Sequence, residues 1–165
     1  MESRAKLFGH PIHPMLIPFP LGLLATSLAF DLIHLLAGGE PWAEVAYWMI
    51  AAGIIGGLAA APTGWVDWLA IPAGTRAKAI GLWHGVGNVV VLVFFAVSWF
   101  LRRDAPDEPG TLPVVLSLVG LALAVLTGWL GGELVDRLGV GVDPGAHLDA
   151  PSSLSGRPAS ERPPV

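Results

Sequence analysis

Histidine and amide side chains occur beside and inside long apolar segments of this sequence, where polar groups are costly and therefore suggest function. His10 and His13 belong to the motif Gly-His-Pro-Ile-His-Pro, just before the first apolar segment. His84 and Asn88 lie four residues apart inside the third segment, so they share one face of a helix. Imidazoles bind metal ions and haem iron, and they also relay protons. These residues therefore predict a metal, haem or proton-transfer site if the fold brings them together.

Acidic side chains accompany the histidines at both ends of the apolar segments. Asp67 follows the second apolar segment and Glu133 closes the fourth, so both are candidates to support the histidines. Asp31 and His34 stand three residues apart near the other end of the first segment, and they form a second candidate polar pair. We expect Asp31 to cap a helix or to pair locally with His34. His34 and His84 lie near opposite ends of their segments. They therefore cannot share one metal ion, because all ligands of a metal ion lie only about 2 Å from it.

Each histidine also has a purely structural interpretation. His84 can be a buried histidine that is hydrogen-bonded to a carbonyl or a carboxylate. The motif around His10 and His13 can be a rigid turn at the membrane interface, because each proline restricts the preceding residue to an extended backbone. Residue type alone does not decide between these interpretations.

The elements that must position these side chains are helices. The chain has 165 residues, of which 53% are hydrophobic and 13% are charged, and its mean hydropathy of +0.64 is that of a membrane protein. Four segments approach the roughly 20 apolar residues needed to span a bilayer. The sequence predicts an all-α integral membrane protein, an up-and-down four-helix bundle with helices at about residues 15–37, 42–61, 79–101 and 112–135.

The remaining parts of the chain are polar. Residues 1–14 form an N-terminal arm ahead of the transmembrane domain at 15–142. Residues 143–165 are rich in proline, serine and glycine and contain few large apolar residues, so we expect a disordered tail.

Up-and-down threading places alternate connections on the same side of the membrane. It therefore brings His10, His13, Asp67, His84 and Glu133 toward one face, whichever way the protein is inserted. Five lysine and arginine residues flank the helices on that side and only two flank them on the other. The positive-inside rule then predicts a protein of the cell membrane with both termini in the cytoplasm.

Small residues repeat every four positions along the fourth helix, at Gly120, Ala124, Gly128 and Gly132. Such a stripe lets helix backbones approach closely, which is its ordinary role in membrane proteins. The alternative is that Gly128 and Gly132 leave room for a flat cofactor such as a porphyrin.

Taken together, these motifs resemble the DUF2231 family of predicted membrane proteins over residues 8 to about 142. The resemblance is carried by Gly9-His10-Pro11-Ile12-His13-Pro14, Phe19-Pro20-Leu21-Gly22, Asp31, the stretch from Gly64 to Asp67, His84 with Asn88, and Gly131-Gly132-Glu133-Leu134-Val135 ahead of Gly139-Val140-Gly141-Val142. It implies a four-helix membrane module of unassigned function. Some relatives are joined to Rieske-type iron–sulfur domains, which implies a redox context, although this chain has no cysteine.

The leading hypothesis is a b-type haem or a metal ion bound at one membrane face, with His84 as one ligand and His13 or His10 as the other. Electrons would then pass to a quinone or a membrane-complex partner. The alternative is a non-enzymatic scaffold or complex subunit whose polar residues are structural. Proton or ion passage along His84, Asn88 and Asp31 is a third hypothesis, and it would need a homo-oligomer.

Several function classes are disfavoured. A net charge of −4 without a basic run argues against binding to nucleic acid. The glycine-rich stretches lie within apolar helices and lack the strand–turn–helix context of nucleotide-binding and hydrolase motifs. Whether the protein is an enzyme stays open.

Overall fold

The computed structural model describes residues 1–39 and 41–162. Four of the helices in this part of the chain are long and apolar enough to cross a membrane, which confirms the predicted all-α membrane architecture. The first span is made of two helices that are separated at Ile17, and the last passes into a π-helical turn. The elements are α1 (Ile12–Leu16), α2 (Pro18–Ala37), α3 (Trp42–Ala70), α4 (Arg76–Arg102), α5 (Thr111–Gly132) and the π-turn Glu133–Arg137.

Prolines explain both the break in the first span and an error in the predicted second one. Pro18 and Pro20 occupy the first turn of α2, where a missing backbone N–H costs little. Pro62, by contrast, lies inside α3, which continues to Ala70 although the sequence predicted an end at residue 61. The extra turns carry Thr63, Gly64 and Asp67 into contact with the N-terminal part of the chain, and these contacts offset the lost helical hydrogen bond.

The helices form a four-sided bundle. α2 packs mainly on α3, α4 packs mainly on α5, and contacts of α3 with α4 and of α2 with α5 close the square. α2 and α4 therefore lie diagonally across the centre. The core between them consists of Leu24, Ile50, Val91, Phe95 and Ala124.

Glycines permit the close helix packing that the small-residue stripes predicted. A Cβ atom at Gly53 would lie 2.6 Å from Leu24 Cδ2, and one at Gly120 would lie 2.9 Å from Phe95 Cε2. Core side chains of neighbouring helices thus occupy the space that a larger residue would need at these two positions.

The outer surface of the bundle is apolar. Trp65, Trp83 and Trp129 are each more than 60% exposed, as are many aliphatic side chains. Only 17–33% of the most apolar window of each span is buried by the rest of the chain. Such a surface requires lipid or further protein around it.

The N-terminal arm contains a small hairpin that the sequence did not predict. Strand β1 (Lys6–Leu7) pairs antiparallel with β2 (His10–Pro11). Phe8 and Gly9 form the turn with φ angles of +50° and +84°, so both adopt the left-handed conformation that two-residue hairpins require. The arm lies on the side of the bundle that also holds the α3–α4 connection and the π-turn, which we call the terminal face. The opposite side, with the α2–α3 and α4–α5 connections, is the loop face.

Beyond Asp143 the described chain contains one short 3-10 helix, Ser153–Ser155, and scattered hydrogen bonds. The disorder expected for residues 143–165 stays a prediction. Residues 163–165 of that tail lie outside the described part of the chain.

Candidate functional site

Two histidines from diagonal elements meet near the terminal face. The ring centroids of His13, on α1, and His84, on α4, are 6.4 Å apart, and the two rings are nearly perpendicular at 85°. The up-and-down threading explains this meeting, because α1 begins and α4 is entered at the same level of the bundle.

Each imidazole is fixed by a backbone carbonyl of a neighbouring helix. His13 Nδ1 lies 3.0 Å from the Ala60 carbonyl oxygen, and His84 Nδ1 lies 2.8 Å from that of Thr127. A carbonyl oxygen only accepts, so Nδ1 carries the proton and Nε2 of a neutral ring keeps its lone pair. This arrangement is typical of metal-binding histidines, whose second nitrogen is held by a carbonyl or a carboxylate.

A glycine makes room for each ring. A Cβ atom at Gly64 would lie 2.7 Å from His13 Cε1 and 2.8 Å from its Nδ1. One at Gly131 would lie 3.1 Å from His84 Cε1. Both glycines stand four residues after the carbonyl that holds the same ring, so one helical face supplies both the hydrogen bond and the space.

Asn88 links the pair to α5. Its Nδ2 donates to the His84 carbonyl at 2.8 Å and lies 3.3 Å from His84 Nε2. Thr127 Oγ1 in turn donates to Asn88 Oδ1 at 3.1 Å. The amide of Asn88 is therefore the one polar side chain beside the Nε2 lone pair of His84 among the described residues, and the predicted support of His84 by Asn88 exists as a contact.

His10 does not join the pair. It lies on β2, where the hairpin turns its exposed ring toward the tail, and its Nε2 is 3.1 Å from Ser153 Oγ. Of the two histidines in the motif, only His13 stands opposite His84.

Asp67 holds the N-terminal arm instead of a histidine. Its carboxylate accepts from the Ser3 hydroxyl at 2.7 and 2.8 Å and from the backbone N–H groups of Arg4 and Ala5 at 2.6 and 3.1 Å. The side chain thereby anchors residues 3–5 to the end of α3.

Glu133 and the two predicted cofactor-packing glycines are also separate from the rings. Glu133 accepts from Arg76 at 2.5 Å and so ties the end of the fourth span to the start of α4. A Cβ atom at Gly128 would meet no heavy atom within 4 Å, and one at Gly132 would meet only Asp136 Oδ2, at 3.9 Å. The glycines packed against the histidine rings are Gly64 and Gly131, and a role of Gly128 and Gly132 in holding a cofactor stays a prediction.

A second buried pair lies near the loop face. Arg102 donates through Nη1 to Asp31 Oδ1 at 2.6 Å and through Nη2 to Asp31 Oδ2 at 2.7 Å, and both side chains are 0% exposed. Ser98 Oγ accepts from Arg102 Nε at 3.2 Å, and Ser117 Oγ accepts from Nη2 at 3.3 Å. The expected local pairing of Asp31 with His34 is wrong, because the arginine satisfies both carboxylate oxygens.

Arg102 is the residue of this second pair that the sequence does not reveal, because it follows the third apolar segment, which is predicted to end at residue 101. A carboxylate within an apolar segment needs a partner, and Arg102 and Arg103 were the cations at its level. His34 Nδ1, in turn, is buried without a hydrogen-bond partner among the described residues. Asp31 and His34 therefore do not form the predicted pair.

Comparison with known proteins supplies a family and no function. A family model described as "Predicted membrane protein (DUF2231)" matches residues 9–144. Neither the curated proteins nor the solved structures include a significant match. The matched segment contains the four spans, both buried pairs and the histidine motif.

Proposed function

The chain belongs to the DUF2231 family of predicted membrane proteins, and within this membrane fold we propose that His13 and His84 bind the iron of a b-type haem, so that the protein serves as an electron-transfer module. The family description assigns no activity. The proposal therefore depends on the geometry of the histidine pair.

The distance between the two rings carries the proposal. His13 and His84 would hold the group between their rings, because an imidazole nitrogen bonds a metal at about 2 Å. The observed separation is 6.4 Å. Both Nδ1 atoms are already held by carbonyl oxygens, which leaves the two Nε2 atoms as the ligand nitrogens.

The number of ligands favours haem over a bare metal ion. Protein sites for zinc and similar ions use three or four side-chain ligands. No group of three or more histidine, aspartate or glutamate side chains that could hold a metal is found within residues 1–39 and 41–162. A haem would need only His13 and His84 from the protein, because the porphyrin supplies the remaining iron ligands.

The protein residues would set the properties of the bound group. Ala60 and Thr127 orient the two rings through their carbonyls, and Gly64 and Gly131 allow those rings to stand between the helices. A haem supplies one-electron redox chemistry. Because the site lies close to one face of an apolar bundle, a lipid-soluble quinone or a membrane-bound redox subunit is the partner class that we propose.

The test is a visible spectrum of the protein purified in detergent after expression with sufficient haem. We expect a Soret band that is lost in both His13→Ala and His84→Ala. His10→Ala is the matched control, because this histidine belongs to the same motif but lies outside the pair. Colourless protein without bound iron, or loss of the band in His10→Ala alone, would contradict the proposal.

A structural scaffold is the second candidate, and one observation favours it. Each histidine ring has a backbone partner, and Asn88 Nδ2 lies 3.3 Å from His84 Nε2, so both rings have polar neighbours within the protein. In that case His84→Ala lowers the thermal stability in detergent while the wild-type protein contains no prosthetic group. Metal analysis together with the melting curve separates the two candidates.

For the orientation we propose that the terminal face is cytoplasmic. Arg4, Lys6, Arg76 and Lys78 lie on that side, as the positive-inside rule requires. The chain has no cysteine, so single cysteines placed in the α3–α4 and α4–α5 connections can be labelled from one side of intact cells. Labelling of the α3–α4 cysteine from outside would contradict this orientation.

A further inference from the structure

The histidine pair and the buried ion pair have the same spacing in the sequence. His13 and His84 are 71 residues apart, and so are Asp31 and Arg102. The positions between them largely repeat the pattern: three of the four buried residues of α2 before Asp31 have a buried counterpart 71 residues later, and the fourth, Leu28, has the partly buried Trp99. The three buried counterparts are Pro20 and Val91, Leu24 and Phe95, and Ser27 and Ser98.

The second helix of each hairpin repeats as well, with a spacing of 64 residues. Thr63-Gly64-Trp65 in α3 corresponds to Thr127-Gly128-Trp129 in α5. Both threonine hydroxyls lie within hydrogen-bond distance of the carbonyl oxygen three residues earlier, at 2.7 and 3.1 Å, and both tryptophans are exposed. The buried counterparts at this spacing are Ile50 and Val114, Gly53 and Ser117, and Ala60 and Ala124.

The packing has the symmetry that this repeat requires. If α2 corresponds to α4 and α3 to α5, then the α3–α4 contact corresponds to the α5–α2 contact, and both are present. The two hairpins run in the same direction, so the relating axis lies along the membrane normal, as in other membrane proteins with parallel repeats. Corresponding residues of the diagonal helices α2 and α4 then meet at the axis.

We infer that the chain is a duplicated helical hairpin and that the ion pair of Asp31 with Arg102 selects the pairing of the first hairpin with the second. At this position two copies of the first hairpin would bring two carboxylates together, and two copies of the second would bring two guanidinium groups together. Like charges in a buried, low-dielectric site repel strongly and leave each charge without a partner. Only the unlike combination gives the observed pair.

The surroundings of the pair support a selective role. The guanidinium makes two parallel hydrogen bonds to the carboxylate, which fixes both the distance and the angle between α2 and α4. Ser98 Oγ accepts from Nε and Ser117 Oγ accepts from Nη2, whereas the counterpart Ser27 donates to the Leu24 carbonyl of its own helix. The charges and their serine partners thus differ between otherwise corresponding hairpins. This inference does not depend on the proposed haem site.

The first test exchanges the charges in the full-length chain. Asp31→Arg and Arg102→Asp each place like charges at the axis, and we expect each to abolish the monodisperse peak or to lower the melting temperature in detergent by about 10 °C or more. The double variant D31R/R102D should recover at least half of that loss. Arg103→Asp is the control, since Arg103 is about half exposed and should shift the melting temperature by no more than about 2 °C. A double variant no better than the worse single variant would overturn the selective role.

The second test addresses the duplication itself. The Met1 amino nitrogen donates to the Gly139 carbonyl at 2.7 Å, and Gly141 N donates to the Met1 carbonyl at 2.8 Å, so the end of the second hairpin adjoins the start of the first. This junction corresponds to the α3–α4 connection under the repeat. A chain in the order 75–142, a short glycine–serine linker, 1–74 and 143–165 should give a monomer with one unfolding transition within about 10 °C of the wild-type chain. If the permuted chain aggregated, the inference that the two hairpins are interchangeable would be overturned.

Discussion

The two pairs on the diagonal of the bundle satisfy their polar groups in opposite ways. Near the loop face, Asp31 and Arg102 satisfy each other directly, and their side chains are completely buried. Near the terminal face, His13 and His84 turn toward each other but make their hydrogen bonds to Ala60 and Thr127 on other helices. One pair is closed, whereas in the other the carbonyl contacts use Nδ1, and His84 Nε2 lies 3.3 Å from the Asn88 amide nitrogen.

This difference suggests different roles for the two ends of the first and third spans. A closed pair with bidentate geometry contributes orientation, because any rotation of α2 against α4 would break two charged hydrogen bonds. Two imidazoles that are each held by a carbonyl of another helix are the arrangement typical of ligand-binding histidines. Under the two proposals above, the loop face would hold the hairpins together and the terminal face would bind the ligand.

The largest change expected from a single truncation is at the closed pair. Asp31→Ala leaves the Arg102 guanidinium buried without its counter-ion, and removing one partner of such a pair costs about 3–5 kcal/mol of unfolding free energy. Chemical unfolding in detergent micelles, followed by tryptophan fluorescence, measures the loss. Asp104→Ala is the control, because Asp104 is 86% exposed. Equal stability of Asp31→Ala and wild type would remove the contrast between the two faces.

Overpacking at the histidine pair should follow in size. Gly64→Ala puts a Cβ atom 2.7 Å from the His13 ring and must displace it, so we expect a loss of about 1–3 kcal/mol. Gly131→Ala, at 3.1 Å from His84 Cε1, should cost less. Gly128→Ala serves as the control because the added atom meets nothing within 4 Å, and alanine favours the helix by about 1 kcal/mol. The same unfolding measurement on all three variants gives the order, and a Gly64→Ala variant as stable as Gly128→Ala would contradict it.

Some features of this arrangement could be predicted from the sequence, and others could not. The four spans could be predicted because their apolar length alone requires a bilayer, and the shared level of His13 and His84 follows from the alternation of their connections. The choice of His13 over His10 could not be predicted, because both precede a proline in the same motif. A hairpin stabilised by the Lys6–Pro11 pairing makes that choice, and it depends on contacts with distant parts of the chain.

The partner of Asp31 could not be predicted from the sequence for a related reason. Arg102 is the last residue of α4, where an arginine ordinarily extends toward the headgroups. Only the diagonal packing shows that it turns inward. The end of α3 was missed because Pro62 signals a helix end locally, while contacts of the following turns with the N-terminal arm keep the helix intact.

Removal of a histidine should cost less than overpacking it. His84→Ala deletes one hydrogen bond to the Thr127 carbonyl, for which we expect a loss of about 1 kcal/mol beyond the lost packing of the ring. His84→Asn retains a donor of smaller size and should recover part of that loss. Melting curves of both variants, recorded without added haem or metal, measure this structural share separately from ligand binding. If His84→Ala lost more stability than Asp31→Ala, the histidine pair at the terminal face would be the more important structural pair.

The smallest effect concerns an ion pair exposed to water on the terminal face. The hydrogen bond that Lys6 donates to Asp143 at 2.5 Å raises the pKa of Lys6 above its usual 10.5, burial opposes this shift, and Glu2 adds to it. A pKa that is higher in the folded state gives stability that is fully present below the unfolded pKa and is lost as the pH rises through the folded value. The attachment of the arm to Asp143 should therefore weaken only in the alkaline range above 10.5, and Lys6→Met should abolish this pH dependence. Limited proteolysis of the tail at several pH values tests this, and an equal rise of cleavage with pH in the wild type and in Lys6→Met would contradict it.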